Sequence, residues 1–209
     1  MIAAKYPTRF LRSYVRSKLA RDPMYEAVLA HVRDSAEPLL DVGCGVGVLE
    51  AFLRDRGVRV PIVALDSDAK KIAVAREIAP DVAFHVGDAR SLPPFRGTVV
   101  ILDVLHYLSD DEQQQLLEQG LERTSGVVIV RDAVRDRSMR YRLTVAEETF
   151  ARAVRWLRVP RLNFPTVERI VAPFHARGFE VSVAPMWGKT PLNNYLFVFS
   201  RASSGMTSA

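Results

Sequence analysis

The stretch Leu40-Asp41-Val42-Gly43-Cys44-Gly45-Val46-Gly47 decides how the rest of this chain is read. It leaves a short apolar run and enters a segment, Gly47 to Arg56, with the apolar spacing of a helix closed by Gly57. Glycines at every second position let a backbone turn sharply and let a ligand come close to it. The first turn of a helix adds unpaired N–H groups. Alone, such a loop is weak support for a ligand site, because any tight strand-to-helix connection can use it.

Outward from the loop, apolar runs alternate with helical segments. Leu39–Val42, Ile62–Leu65, Val82–Val86, Val99–Leu102 and Val127–Val130 read as strands. Helices fall over Gly47–Arg56, over Asp68–Ala79, and after Ser109, where Glu112 completes a capping box. Continuous β-branched runs bounded by helices are strands buried on both faces, hence a mainly parallel sheet. Phe179–Val183 and Tyr195–Phe199 are joined through Pro185, Trp187, Gly188 and Pro191 with no helical pattern, so this last pair is antiparallel. The expected fold is α/β, a three-layer sandwich around a mainly parallel seven-stranded sheet with an antiparallel last strand.

Residues 1–35 read as an N-terminal helical cap. Its second helix starts at Pro23 behind Asp22 as cap. Residues 36–200 form the main domain, with a helical insert over about 132–165 and then a helix Thr166–Arg177 kinked at Pro173. Residues 201–209 are small and polar and are expected to be a disordered tail.

A chain of 209 residues, 48% hydrophobic and 25% charged, suits one soluble domain. No run approaches the roughly 18 apolar residues of a membrane span. Cys44 is the single cysteine, which excludes a disulfide framework and a cysteine metal cluster. The first 21 residues are studded with Lys and Arg and lack the apolar core of a secretory leader. The expected compartment is the cytoplasm.

Three carboxylates strengthen the loop's case. Asp66 ends the second strand about 20 residues on, where a carboxylate accepts both hydroxyls of a ribose. Asp88, in Gly87-Asp88-Ala89, ends the third strand and can accept from the exocyclic amine of a purine. Asp103 ends the fourth. All lie at carboxyl ends of parallel strands, where open α/β sheets bind ligands. Dinucleotide dehydrogenases share the loop and the first acid. Their third glycine comes one residue later than Gly47, however, and an antiparallel final pair is foreign to them.

Together these segments resemble a class I S-adenosylmethionine-dependent methyltransferase over roughly residues 36–200. Asp41–Gly47, Leu65-Asp66-Ser67-Asp68, Gly87–Pro93 and Val104-Leu105-His106-Tyr107-Leu108 match that family's first four motifs in order, and Arg177-Gly178-Phe179 is typical of it. The resemblance implies S-adenosylmethionine as cofactor, with Asp41, Gly43, Gly45 and Gly47 at its methionine side, Asp66 on the ribose, and Asp88 and Ala89 at the adenine. Gly97-Thr98 departs from the Phe-Asp that many members carry before the fourth strand.

For the acceptor, His106 is the candidate base: a hydroxyl with a pKa near 10 needs one. Packing at a helix start is the alternative for this histidine. Asp103 is placed at the methionine end or the acceptor. Asp103 and Asp132 together resemble the carboxylates of the magnesium-dependent catechol methyltransferases, but the following ligand, Asn, is here Ala133, so no metal is expected. Cys44 reads as a small buried residue, and Trp156 and Trp187 as core or pocket lining.

The net charge is +5. Residues 131–161 carry nine arginines against four carboxylates, an excess equal to that of the whole chain. A solvated helical face is the plainest account. A basic lid also fits an acidic acyl carrier protein presenting a tethered acceptor, and the basic N-terminal helix fits peripheral contact with a membrane. Nucleic acid is disfavoured: no added binding domain is present, and the Asn/Asp-Pro-Pro-aromatic motif of base N-methylation is missing after the fourth strand. Arg12–Leu19, Asp22-Pro23 and Asn193-Asn194-Tyr195 resemble small methyltransferases of bacterial aryl-polyene pigment clusters, which implies a hydroxyaryl acceptor in secondary metabolism. The alternatives are an RNA methyltransferase and a non-catalytic binding protein on the same fold.

Overall fold

The structure, a computed structural model, describes residues 1–153 and 162–201. Seven strands form one sheet: β1 (Leu39–Val42), β2 (Ile62–Asp66), β3 (Ala83–Val86), β4 (Gly97–Leu102), β5 (Thr124–Ala133), β6 (Phe179–Pro185) and β7 (Asn194–Arg201). Their order is β3-β2-β1-β4-β5-β7-β6. The pairs among β1 to β5 are parallel, and β7 runs antiparallel to both β5 and β6. The expected fold class is the observed one.

Alternation along β1 explains why the sheet is covered twice. Leu39 enters one hydrophobic cluster, with Leu29, Phe52 and Ile72, while Leu40 and Val42 enter the other, with Leu116, Phe174 and Phe197. The first face carries α1 (Arg9–Arg21), α2 (Met24–Val32), α3 (Val48–Asp55) and α4 (Ala69–Ile78); the second carries α5 (Asp110–Arg123) and α7 (Val167–His175). Between β5 and α7 lies α6 (Met139–Ala153).

Local chemistry sets the boundaries. Ser109 and Glu112 form the expected capping box of α5. Thr8 caps α1 through Leu11 N, at 3.1 Å. Asp22 Oδ1 accepts from Met24 N, so α2 starts one residue later than expected. Helix α7 runs through Pro173.

Two boundaries differ from those expected. The N-terminal helices pack into the core, where Ile2, Ala3, Tyr6, Val15 and Leu29 share one cluster with Phe52. The apolar side of α1, with the partly buried Leu11, Tyr14 and Leu19, packs against that cluster. Strand β5 continues through Arg131, Asp132 and Ala133, so the insert begins after 133. Its polar end looks unlike a buried strand because its charges are neutralised by partners from elsewhere in the chain. Arg201 belongs to β7; the rest of the expected tail, 202–209, lies outside the described residues. So do Trp156 and the later part of the amphipathic face expected over Glu147–Leu157. Among the described residues no helix is long and apolar enough to cross a membrane.

Candidate functional site

The strand order reverses about β1, which has β2 on one side and β4 on the other. A crevice outside the carboxyl ends of such strands is where open α/β sheets take ligands. The glycine loop leaves β1 at that point. Gly43, Gly45 and Gly47 all have positive φ, at 85°, 58° and 74°. Their surroundings differ. A Cβ on Gly43 would strike Val104 Cγ2, and one on Gly47 would press on Ala75 Cβ at 3.0 Å, whereas one on Gly45 meets nothing within 4 Å. Gly43 and Gly47 are therefore required by packing, and Gly45 borders open space.

Asp66 braces this loop. Its Oδ2 accepts Gly45 N at 3.0 Å and its Oδ1 accepts Asp68 N at 2.8 Å. Each oxygen keeps a lone pair for a further donor. At the end of β3, Asp88 is held by the Arg90 guanidinium, which lowers its pKa and also reaches Glu112 at 3.2 Å. Ala89 is half-buried beside it. Asp66 and Asp88 thus sit at the ends of neighbouring strands, on the side of the loop away from β4.

Asp41 lies deeper than a free ligand-facing carboxylate. It is 2% exposed and lies beside Glu50 of α3, itself 0% exposed, and neither Glu50 oxygen has a hydrogen-bond partner among the described residues. Burial pushes both carboxyls up, Asp41 to about 6 and Glu50 well above the usual range. Two buried acids side by side raise one another's proton affinity. Cys44, expected to be buried, is half-buried and packed against the first cluster, and that partial burial drives its thiol pKa up.

On the other side, Asp103 is the one non-glycine residue with positive φ, 58°, among the described residues. Its carboxylate is bound by Arg131, which is 2% exposed, and lies 4.0 Å from Lys18. Arg131 also holds Asp22 at 3.0 Å. Burial would raise the Asp103 carboxyl, but Arg131 and Lys18 outweigh it and the net direction is down. A carboxylate so paired is a poor proton acceptor. Arg131, counted in the basic insert from sequence, is therefore internal.

His106 sits in a 3-10 turn, Leu105–Tyr107, just past β4, and is 2% exposed. Its Nδ1 lies 2.6 Å from Asp132 Oδ1. Asp132 Oδ2 accepts the backbone N–H of Leu105 at 2.8 Å and of His106 at 3.4 Å, and Oδ1 also accepts Ala133 N at 2.7 Å. A carboxylate surrounded by donors places the ring proton on Nδ1. That leaves the Nε2 lone pair, which has no hydrogen-bond partner among the described residues. The ring contacts Tyr107, tilted with centroids 3.9 Å apart, and Phe164, stacked at 5.5 Å. Burial pulls the His106 pKa down, but Asp132, with Glu148 and Asp103, overcomes it and the net direction is up. Asp132 entered the sequence reading only as a metal-ligand candidate that was set aside, and its pairing with His106 was missed because the parallel pairing of β4 with β5 makes it.

Of the basic insert, Arg135, Arg137 and Arg142 are exposed, while Arg140 lies over the Trp187 ring at 4.4 Å and donates to Thr190 O. Arg155, Arg158 and Arg161 lie outside the described residues.

A family model described as a methyltransferase domain matches residues 39–123, from β1 to the end of α5. A solved structure of magnesium protoporphyrin IX methyltransferase from Synechocystis PCC 6803, with bound SAH, superposes with TM-score 0.70 at 17% identity, covering 96% of this chain and 91% of that one. The fold is the Rossmann-like methyltransferase fold. A demethylmenaquinone methyltransferase of Thermotoga maritima is 24% identical over 168 residues, 72% of this chain and 73% of that protein. A probable ribosomal RNA small subunit methyltransferase A of Methanospirillum hungatei is 29% identical over 165 residues, 72% of this chain. The match spans 62% of the Methanospirillum protein, less than two thirds of its length.

Proposed function

We propose that this protein is an S-adenosylmethionine-dependent methyltransferase that acts on the hydroxyl of an aromatic small molecule, with His106 as base. The observation that carries the acceptor side is the His106–Asp132 pair with its unpartnered Nε2 at the carboxyl end of β4. The cofactor fits the residues present: Gly45 borders open space where a Cβ would intrude on a ligand, and Asp66 keeps lone pairs for ribose hydroxyls. Gly43, Gly45 and Gly47 would hold its methionine side, Asp66 its ribose, and Asp88 with Ala89 its adenine. When bound, it supplies a methyl group already activated on a sulfonium.

The chain's own residues then have limited work: orient the acceptor, exclude water and take one proton. His106 Nε2 accepts the acceptor's hydroxyl proton, and Asp132 fixes the tautomer and balances the imidazolium charge. Asp132 raises the proton affinity of His106, which strengthens it as a proton acceptor. Tyr107 and Phe164 pack against the His106 ring, an aromatic surrounding that favours an aromatic acceptor over an aliphatic one. The exposed Arg135, Arg137 and Arg142 on the insert support delivery of the acceptor on an acidic carrier protein.

Methyl transfer to a panel of free and carrier-bound hydroxyaryl compounds tests this. His106→Ala is expected to lose on the order of 10²- to 10⁴-fold in kcat with cofactor affinity kept. The rate should rise with pH through the raised His106 pKa, and Asp132→Asn should move that limb to lower pH while slowing turnover. Unchanged turnover in His106→Ala removes the histidine as base. Transfer to RNA in place of every small acceptor would favour the kind of activity named for the Methanospirillum relative.

A further inference from the structure

We infer that Gln113 and Asn163 form a latch that positions the His106 imidazole by clamping the return end of the insert onto its turn. This rests on the base role proposed above. Gln113 is on α5, only 2% exposed, among leucines Leu116 and Leu117. A buried amide in that setting costs free energy unless it is bonded, and leucine would fill similar space. Its Nε2 lies 3.0 Å from Leu105 O, 3.2 Å from Leu108 O and 2.6 Å from Asn163 O. Leu105 and Leu108 bracket the turn that carries His106. Asn163 closes the same knot from the other chain segment: its N–H donates to His106 O at 2.8 Å, and its Nδ2 donates to Leu108 O at 3.1 Å and to Asp110 Oδ1 at 2.8 Å.

Leu105 O also accepts Leu108 N at 2.9 Å, whereas Leu108 O and Asn163 O take side-chain donors, Gln113 Nε2 on both and Asn163 Nδ2 on the first. The consequence reaches the ring. Phe164, next in the strap, stacks on His106 at 13° between planes, and Tyr141 of α6 meets Phe164 edge-on at 5.6 Å. Arg135 N donates to Pro165 O at 2.8 Å, anchoring the strap to the start of the insert. The turn is thus held on its N–H side by Asp132 and on its carbonyl side by Gln113. The 2.6 Å contact between Nδ1 and Asp132 depends on both. The charged groups facing the ring are Asp132 from β5, Asp103 from the turn after β4 and Glu148 from α6.

The test is an NMR titration of the histidine ring protons, with the His106 signal identified by its loss in His106→Gln. Loosening the latch should weaken the contact with Asp132, so Gln113→Leu is expected to lower the His106 midpoint by about half a pH unit or more. SAH affinity should stay within about twofold. Should Gln113→Leu not fold, the half-buried Asn163→Ala carries the test, with a smaller move in the same direction. Asp132→Asn separates the two ideas. If it lowers the midpoint while both latch variants leave it in place, the latch is overturned and the dyad stands. If Asp132→Asn leaves it unmoved, the dyad fails and the positioning role fails with it.

Discussion

A glutamate in the first turn of a helix is normally favourable as an anion, because the N-terminal N–H groups are near. Glu50 occupies such a position in α3, yet it is fully buried against Asp41 and its carboxyl pKa is pushed up. The sign of the linkage follows. Groups whose folded pKa exceeds the unfolded value bind more protons in the folded state, so stability is greatest below the ordinary carboxylate range of about 4 and falls as pH rises. The fall runs through about 6, where Asp41 titrates, and beyond it for Glu50. Glu50→Gln removes one charge and supplies an amide donor to Asp41. It is expected to flatten this decline and to stabilise the fold by on the order of 1 kcal/mol at pH 8. Denaturant melts at pH 5 and pH 8 check this. A loss of stability at pH 8 would mean that Glu50 is needed as an anion. None of this was legible in the sequence, where Asp41 reads as the head of a ligand motif and Glu50 as one polar residue of a helix. Burial from the N-terminal segment, with Tyr6 at 0% exposure in the same cluster, decides the matter.

At the scale of elements, what the sequence shows is what local chemistry dictates. The capping box at Ser109, the apolar runs of β1, β2 and β4, and the Gly43–Gly47 loop need only near neighbours to be recognised. The end of β5 was hidden because Arg131 and Asp132 are charged, and their partners come from far along the chain. Arg131 is enclosed by Asp22, between α1 and α2, and by Asp103, after β4, with Lys18 of α1 3.6 Å from Asp22. Two cations and two carboxylates form a neutral cluster that ties the N-terminal helices to the strand ends of the site. Arg131→Met leaves Asp22 and Asp103 with Lys18 alone. It is expected to destabilise by about 3–5 kcal/mol, because a buried charge loses its partner. Equilibrium denaturation measures this. A loss under about 1 kcal/mol would show that Lys18 or water compensates both acids.

At the scale of the whole molecule, the sheet order sets the function that the site can perform. Reversal of the order at β1 marks the place where open α/β sheets take ligands. Asp66 and Asp88 end the strands on one side of it, His106 and Asp132 those on the other, and the glycine loop lies between. The fold class and this division of labour were readable because strands buried on both faces advertise themselves and because carboxyl ends of parallel strands are fixed places. The partnership of His106 with Asp132 was not, since 26 residues separate them and only the parallel pairing of β4 with β5 brings them together. The claim that underlies all else is that the crevice binds S-adenosylmethionine across Gly45. Calorimetric titration with S-adenosylmethionine and S-adenosylhomocysteine, on the wild-type protein and on Gly45→Ala, tests it most directly. Binding of both with Kd on the order of 1–100 μM is predicted for the wild type. Gly45→Ala should keep its fold, at a cost of about 1 kcal/mol for the left-handed backbone, and lose at least about tenfold in affinity. A folded wild type that binds neither compound, or a Gly45→Ala variant that binds as well as the wild type, would contradict the account.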